Sequence, residues 1–196
     1  PAEGYYFCNY HSSTASASIC GDAKALAMLR ALEPLARVHI MPNFLFSYPG
    51  APWGNAEELM AYAKAHPGEV RVAVVGKGTL EDVFFTMLKE KSGIEFVTLA
   101  YPKPSEKYAS VVGGHNQVLF EQWGDVKDYI EAGMLVPTMI IARERSVSHP
   151  DVQCMKEIGV EALYFSKWRG VAEKQVHTKD RVKVLADAIA QVDQMD

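Results

Sequence analysis

Several features that mark common classes of protein are missing from this sequence or scarce in it. Its 20 lysines and arginines are outnumbered by 24 aspartates and glutamates, which gives a net charge of −4 and a pI near 5.9. Surfaces that bind nucleic acid are usually basic, so this balance argues against a nucleic-acid partner. No apolar run approaches the roughly 20 residues of a membrane-spanning helix, so the chain is not expected to span a membrane.

Cysteine is also scarce, and its spacing excludes several kinds of site. The three cysteines, Cys8, Cys20 and Cys154, lack the spacing of a zinc site and cannot all pair with one another. Cys8 lies in a strand-like run and is interpreted as a small buried hydrophobe, although a Cys8–Cys20 disulfide in an oxidising compartment stays open. Cys8 and His11 have ligand-like spacing without a second pair, so neither a metal nor a cofactor is predicted.

Catalytic motifs are missing as well. His11 and Ser12 are adjacent, but neighbouring residues of a strand point to opposite faces, and no GxSxG elbow surrounds the serine. No two residues form a convincing general acid and base. The sequence therefore favours a binding protein over an enzyme. The enzymatic alternative is a small α/β enzyme, for which only Glu121 and the histidines are available as titrating groups.

The most informative feature that is present lies between residues 71 and 93. A β-branched run ends at the sequence Gly76-Lys-Gly-Thr79, and a helical pattern begins directly afterwards. Thr79 is predicted to cap this helix, with Asp82 completing a capping box. Free N–H groups and the helix dipole at such a turn favour an anion. The alternative is an ordinary capped turn, because GxGT is shorter than a dinucleotide fingerprint and Glu81 and Asp82 already satisfy the dipole.

Strand-like and helix-like segments alternate along the chain. Strands are predicted at residues 5–9, 38–46 (interrupted at Pro42), 71–75, 94–100, 117–121, 137–142 and 161–165. Helices are predicted at residues 23–35, 55–66, 79–93, 105–112, 125–132, 149–158 and 178–192, and residues 10–16 are predicted to form a polar loop. This alternation predicts an α/β fold with a mainly parallel sheet and helices on both faces.

Polar residues and glycines collect where the predicted strands end. Ligands of such sheets bind beyond the carboxyl ends of the strands. The candidate pocket therefore comprises the loop Ser12, Ser13 and Thr14, the turn with Gly76, Gly78 and Thr79, and the strand-end residues Tyr101 and Glu121. For Glu121, a solvated strand terminus is the alternative to a ligand contact.

The chain resembles a known family over nearly its whole length. Residues 55–68, NAEELMAYAKAHPG, strongly resemble a helix of the periplasmic solute receptors of tripartite tricarboxylate transporters, known as the Bug family. Further similar stretches are EGY at 3–5, GKGT at 76–79, KSGIEFVTLAY at 91–101, VVGG at 111–114, IEAGML at 130–135, HPDV at 149–152, MKEIG at 155–159 and WRG at 168–170. This combination is far more specific than any single motif.

The resemblance implies a type II periplasmic-binding-protein fold, in which two lobes of mainly parallel sheet flanked by helices enclose a ligand cleft. Residues 1–46 and 143–196 would form the first lobe, which is expected to be incomplete, and residues 47–142 the second. Hinges would lie near residues 41–47 and 135–143. The family's first βα segment has no counterpart here and the family continues beyond the last helix, so the chain is expected to be incomplete at both ends.

The resemblance also implies a function. A receptor of this family captures a small organic acid in the periplasm and delivers it to membrane transporter subunits without catalysis, and a monomer is expected. Ser12, Ser13 and Thr14 match the first lobe's binding loop, and Gly76, Gly78 and Thr79 match the second lobe's loop. Tyr101 and Glu121 match neighbouring strand ends.

Two departures from the family pattern bear on the ligand. Asp82 replaces a residue that is often neutral or histidine, and Ser13 replaces a frequent glycine. An additional carboxylate beside the pocket favours a ligand that carries an amine or only one carboxylate. The remaining alternative function is the ligand-sensing effector domain of a regulator, which should carry a DNA-binding helix-turn-helix and a basic face.

Overall fold

The structure, a computed structural model, describes residues 7–76, 79–160, 163–164, 166–175 and 179–192. The chain divides into two compact units, Pro1–Met41 with Lys167–Asp196, and Pro42–Ser166. The second unit therefore includes residues 143–166, which the sequence assigns to the first lobe. How these residues are divided between the lobes of the whole protein stays a prediction.

In its described residues, the first unit combines antiparallel strands with three helices. Its elements are β1 (Cys8–His11), α1 (Ser12–Ile19), α2 (Ala23–Arg30), the beginning of β2 (Leu32–Ser47), β7 (Ser166–Lys174) and α7 (Lys179–Val192). β7 lies between β1 and β2 and pairs antiparallel with β1, with Cys8 opposite Ala172. Asp22 caps α2, because its Oδ1 accepts from the backbone N–H groups of Lys24 and Ala25 at 2.8 and 3.1 Å.

Two predictions for this unit were wrong. The predicted polar loop at 10–16 is largely the helix α1, in which Ser16 donates to the carbonyl of Ser12 at 3.0 Å. The serine hydroxyl is thereby satisfied inside the helix instead of competing with it. The predicted helix at 23–35 ends at Arg30, because Pro34 cannot continue a helix and forces Glu33 into the extended region.

Strand β2 leaves the first unit and continues into the second without a break at Pro42. The prediction of an interruption there was wrong. The ladder between β2 and β6 (Val136–Ile141) begins at Asn43, one residue later, so the missing N–H of proline is not needed by that ladder.

The second unit is a mixed sheet with helices on both faces. Its other elements are α3 (Ala56–Ala65), β3 (Arg71–Val74), α4 (Leu80–Ser92), β4 (Val97–Ala100), α5 (Pro104–Val112), β5 (Val118–Glu121) and α6 (Trp123–Glu131). β3 pairs parallel with both β4 and β5, whereas β2 pairs antiparallel with both β5 and β6. The prediction of a mainly parallel sheet was therefore too simple. Strand direction depends on how the connections cross the sheet, and hydrophobic periodicity contains no information about that.

Alternate residues of the central strands belong to two apolar layers, one on each face of the sheet. Val72, Val74, Val118 and Phe120 belong to a layer that includes Leu59 of α3 and Phe84 and Leu88 of α4. The intervening Ala73 and Leu119 belong to a layer that includes Val111 of α5 and Val126 of α6. Because both faces of the strands are buried, the sheet is covered on both sides, as the sequence predicts.

The segment after β6 differs from the predicted helix at 149–158. It consists of turns, with a parallel bridge between Ile140 and Cys154. Arg145 holds the segment by donating to Glu157 at 2.9 Å and to the carbonyl of Pro150 at 2.7 Å. Hydrogen bonds from the Arg145 side chain thus hold this segment in place of the backbone hydrogen bonds of a helix. The predicted strand at 161–165 lies partly outside the described residues, and the described residues Leu163 and Tyr164 are not in a strand.

Candidate functional site

The carboxyl ends of β5, β3 and β4 lie side by side, because these three strands are parallel neighbours. The sheet therefore brings Gly76, Tyr101 and Glu121 to one edge, which we call the carboxyl edge. The N-terminus of α4 begins at the same edge, directly after the turn that follows β3. This is the position at which ligands of α/β sheets bind.

The turn between β3 and α4 is capped as the sequence predicts. Thr79 has extended backbone angles, and its Oγ1 accepts from the N–H of Asp82 at 3.4 Å. The same hydroxyl donates to the carbonyl of Gly76 at 2.7 Å. Thr79 is therefore hydrogen-bonded both to the start of the turn and to the first turn of α4. Gly78, which the sequence also assigns to the site, lies outside the described residues.

One donor of this turn is already used by the protein. The N–H of Val75 donates to Oε2 of Glu81 at 2.7 Å, and Glu81 lies in the first turn of α4. An acidic side chain near a helix N-terminus is stabilised by the helix dipole. The Glu81 carboxylate thus already accepts from one of the backbone N–H groups that the sequence motif suggests for binding an anion.

Glu81 belongs to a buried ion cluster, which we define as Glu81, Lys107 and Glu121. The ammonium of Lys107 donates to Oε1 of Glu81 at 3.1 Å and to Oε2 of Glu121 at 2.9 Å. Its third bond goes to the carbonyl of Phe120 at 2.7 Å, so all three N–H groups are used. The Lys107 side chain is 0% exposed, and the two carboxylate side chains are 3% and 6% exposed.

Glu121 lies at the end of β5, where the sequence places it, but it is not a solvated terminus. Oε2 accepts from Lys107 and from the hydroxyl of Tyr108 at 3.1 Å, and Oε1 accepts from the backbone and side chain of Gln122. Burial, followed by the charge of Glu121, raises the pKa of Tyr108 above its usual value, and Asp125 and Glu81 add to this. Whether Glu121 also contacts a ligand stays a prediction.

Tyr101 follows β4 at the carboxyl edge, but its hydroxyl is directed elsewhere. The hydroxyl oxygen accepts from the side-chain amide of Asn116 at 2.7 Å, and the same amide donates to Ser110 at 2.8 Å. Asn116 precedes β5, so the phenol extends back under α5 towards the amino ends of the strands. The hydroxyl of Tyr101 is thus already bonded within the protein, and a contact between Tyr101 and a ligand stays a prediction.

The three remaining predicted residues lie in the first unit and belong to α1, not to a loop. Ser12 is buried at the start of α1, and its hydroxyl oxygen accepts from the N–H of Trp168 at 3.4 Å. Ser13 is exposed and Thr14 is half-buried. Their participation in a ligand site is likewise a prediction.

Sequence reasoning missed Glu81 and Lys107 as partners. A signal for Lys107 exists, since it precedes Val111 by one helical turn and so shares the buried face of α5. Its partner Glu81 is 26 residues away, and only the sheet topology brings the two together.

In the ranges that the structure describes, no three histidine, cysteine or acidic side chains are grouped so that they could hold a metal ion. Cys8, Cys20 and Cys154 are thiols in the structure. Among the described helices, none is both long enough and apolar enough to cross a membrane.

Comparisons with known proteins are consistent with this fold. BugT of Bordetella pertussis is 26% identical over 144 residues, which are 74% of this chain and 44% of BugT. A solved structure of Rhodopseudomonas palustris MatC with bound malate has a TM-score of 0.76 at 18% identity, covering 100% of this chain and 67% of that one. R. palustris Rpa4515 with adipate has a TM-score of 0.81 at 19% identity, covering 97% and 64%.

The chain thus spans under half of BugT and about two thirds of these two structures. At such identities the structures establish a shared α/β fold and nothing finer. The family model for the tripartite tricarboxylate transporter family receptor, TctC, matches residues 4–195. The family consists of receptors, in agreement with the prediction of a binding protein in place of an enzyme. The chain belongs to the tripartite tricarboxylate transporter receptor family, the Bug family of periplasmic solute-binding proteins.

Proposed function

We propose that the protein is a periplasmic receptor that binds a small organic acid and delivers it to a tripartite tricarboxylate-type membrane transporter. The observation that carries the proposal is the family match over residues 4–195. The carboxyl edge supports it, because the capped turn before α4 lies beside the ends of β4 and β5. Binding without turnover, action as a monomer and a periplasmic location are parts of the same proposal.

The proposed ligand site comprises the residues that match the binding loops of the family. In the whole protein, two lobes of type II architecture would close over the ligand, with residues 1–46 and 143–196 in one lobe and 47–142 in the other. The first lobe would contribute Ser12, Ser13 and Thr14, and the second Gly76, Gly78, Thr79, Tyr101 and Glu121. Hydroxyl and backbone N–H groups are suitable donors to a carboxylate, and closure would exclude water from them.

The proposed ligand class is a carboxylate of low negative charge. Two relatives have been solved with dicarboxylates, adipate and malate. In this chain Glu81 and Asp82 both lie in the first turn of α4 and oppose binding of several negative charges there. A monocarboxylate, or an acid whose amine balances a second carboxylate, fits this turn better than a tricarboxylate.

Calorimetry on the full-length protein tests the proposal. The panel would contain citrate, malate, adipate, the monomethyl ester of adipate and aspartate, with glucose as an uncharged control. One-to-one binding of at least one acid, recovery of that acid unchanged and no binding of glucose are expected. Chemical conversion of the acid would indicate an enzyme, and no binding of any acid would refute the proposal.

A further inference from the structure

Asn116 lies between α5 and β5, and its side chain links separate elements of the second unit. The residue is 0% exposed. Its Nδ2 donates to the hydroxyl oxygen of Tyr101 at 2.7 Å and to Oγ of Ser110 at 2.8 Å, and its backbone N–H donates to the carbonyl of Ser110 at 3.0 Å. Both hydrogens of the side-chain amide are therefore used. Asn116 is outside the proposed ligand site, but one of these bonds ends on a residue of that site.

Ser110 fixes the direction of these bonds. Its hydroxyl donates to the carbonyl of Lys107 at 2.7 Å, so its single hydrogen is used and its oxygen faces Asn116 as an acceptor. The NH₂ group of Asn116, and not its carbonyl oxygen, must therefore lie towards Ser110. The same NH₂ group reaches Tyr101 with its second hydrogen. Because Ser110 is 6% exposed and Asn116 is fully buried, water competes poorly for these bonds.

Tyr101 is held both by its side chain and by its backbone. Its hydroxyl is bonded to Asn116, and its backbone N–H donates to the carbonyl of Val74 at 2.9 Å, directly after the last pair of the parallel ladder between β3 and β4. Between these two bonds, the ring packs against the apolar layer that includes Val111 of α5. The place of Tyr101 at the end of β4 thus depends on the bond to Asn116 as well as on the sheet.

The bond to Val74 connects Tyr101 to the turn before α4. Val74 is the last residue of β3 and precedes Gly76 by two residues. The carbonyl of Gly76 in turn accepts from the hydroxyl of Thr79 at 2.7 Å. Hydrogen bonds therefore run from Asn116 through Tyr101 to the strand from which the proposed ligand-binding turn begins.

We propose that Asn116 is a positioning residue for the ligand site, which holds Tyr101 and the end of β4 in the arrangement that binds the ligand. This inference rests on the proposed function, since it assigns a supporting residue to that same site. Without the bond to Asn116, the Tyr101 side chain samples other arrangements, and only a fraction of the molecules is ready to bind. The apparent affinity falls by that fraction. Loss of one hydrogen bond of ordinary strength corresponds to a fall of about 3- to 10-fold.

A double-mutant cycle on the full-length protein tests this inference. The probe is whichever of citrate, malate, adipate, its monomethyl ester and aspartate the wild-type protein binds most tightly. Calorimetry measures its affinity for the wild type, Asn116→Ala, Tyr101→Phe and the double variant. Each single variant removes the same bond from one end, so each should weaken binding by about 3- to 10-fold, and the double variant by no more than that. Factors that multiply in the double variant would overturn the inference, because the two residues would then act independently.

Ser110→Ala is the matched control, because it removes the other side-chain bond of the same amide and leaves Tyr101 bonded to Asn116. It should lower the urea midpoint, as Asn116→Ala does, but keep the affinity within about 2-fold of the wild type. An equal loss of affinity in Ser110→Ala and Asn116→Ala would overturn the inference, because a general loosening of the fold would explain both. So would an unchanged affinity in folded Asn116→Ala.

If Asn116→Ala does not fold, Tyr101→Phe and Ser110→Ala decide the matter without it. Weaker binding by Tyr101→Phe together with unchanged binding by Ser110→Ala would support the inference, and equal affinities of these two variants would overturn it. Failure of the wild-type protein to bind any acid of the panel would instead overturn the proposed function, and the inference with it.

Discussion

Replacing Lys107 by methionine should destabilise the protein far more than replacing any surface lysine. The ammonium makes three hydrogen bonds within 3.1 Å and its side chain is 0% exposed. Methionine has a similar volume, so the change leaves no large cavity. It does leave Glu81 and Glu121 as two buried carboxylates without the ammonium group that lies between them.

Removing one partner of a buried ion pair costs about 3–5 kcal/mol, because the remaining charge stays desolvated. For a chain of 196 residues that loss corresponds to a fall in Tm of about 6–20 °C. Urea unfolding followed by tryptophan fluorescence, and a thermal melt, would measure it. Adding Glu81→Gln to Lys107→Met should recover part of the loss, since one buried charge disappears.

Lys127→Met is the matched control, because Lys127 pairs with Glu131 at 3.5 Å but is 61% exposed. Its expected effect is within about 0.5 kcal/mol of zero. A loss below about 1 kcal/mol for Lys107→Met, or no recovery on removing the charge of Glu81, would refute the view that Lys107 balances a buried charge cluster.

Three further predictions follow from the same structure. The hydrogen bond with Arg145 lowers the pKa of Glu157 from 4.5 to about 2, so its stabilising effect should be complete above pH 4.5 and disappear as the pH falls towards 2. The difference in urea midpoint between wild type and Glu157→Gln should close over that range, and a constant difference would contradict this. Burial and Glu121 raise the pKa of Tyr108, so its contribution to stability should be lost as the pH rises above 10, and Tyr108→Phe should remove that part of the alkaline loss in a urea titration. Asp82→Ala should improve calorimetric affinity for citrate more than for the monomethyl ester of adipate, and equal factors for both ligands would exclude a role for Asp82 in charge preference.

Local signals predicted much of the second unit. Asn55 caps α3 by accepting from the N–H of Glu58 at 2.9 Å, and Glu58 accepts in return from the N–H of Gly54 at 2.7 Å. Thr79 caps α4, and Gly93 ends it with a φ of +71°. These features depend on residues within one or two turns, which is why sequence alone indicates them.

Non-local contacts account for the errors. Residues 149–158 have a helical pattern, but the bonds of Arg145 and the pairing of Cys154 with Ile140 hold them in turns. In α1, the many serines suggested a loop, whereas their hydroxyls bond to carbonyls of the preceding turn. The antiparallel pairing of β2 depends on the path of the chain between strands, which no local pattern specifies.

For some of the candidate residues, the sequence predicted their place in the sheet better than their side-chain partners. Gly76, Tyr101 and Glu121 do reach one edge of the sheet, because the ends of parallel strands meet there. Their side-chain partners could not be predicted, since Asn116 and Lys107 approach from other elements. The topology of the fold determines which polar side chains are bonded within the protein and which are left to bind a ligand.

Native mass spectrometry of the full-length protein, before and after denaturation, tests the central claim most directly. Protein purified from cells supplied with a mixture of small organic acids should carry one acid per chain. Denaturation should release that acid unchanged, and its mass would identify it. A protein that carries no acid even when each acid is added in excess, or that returns an acid of altered mass, would contradict a solute receptor.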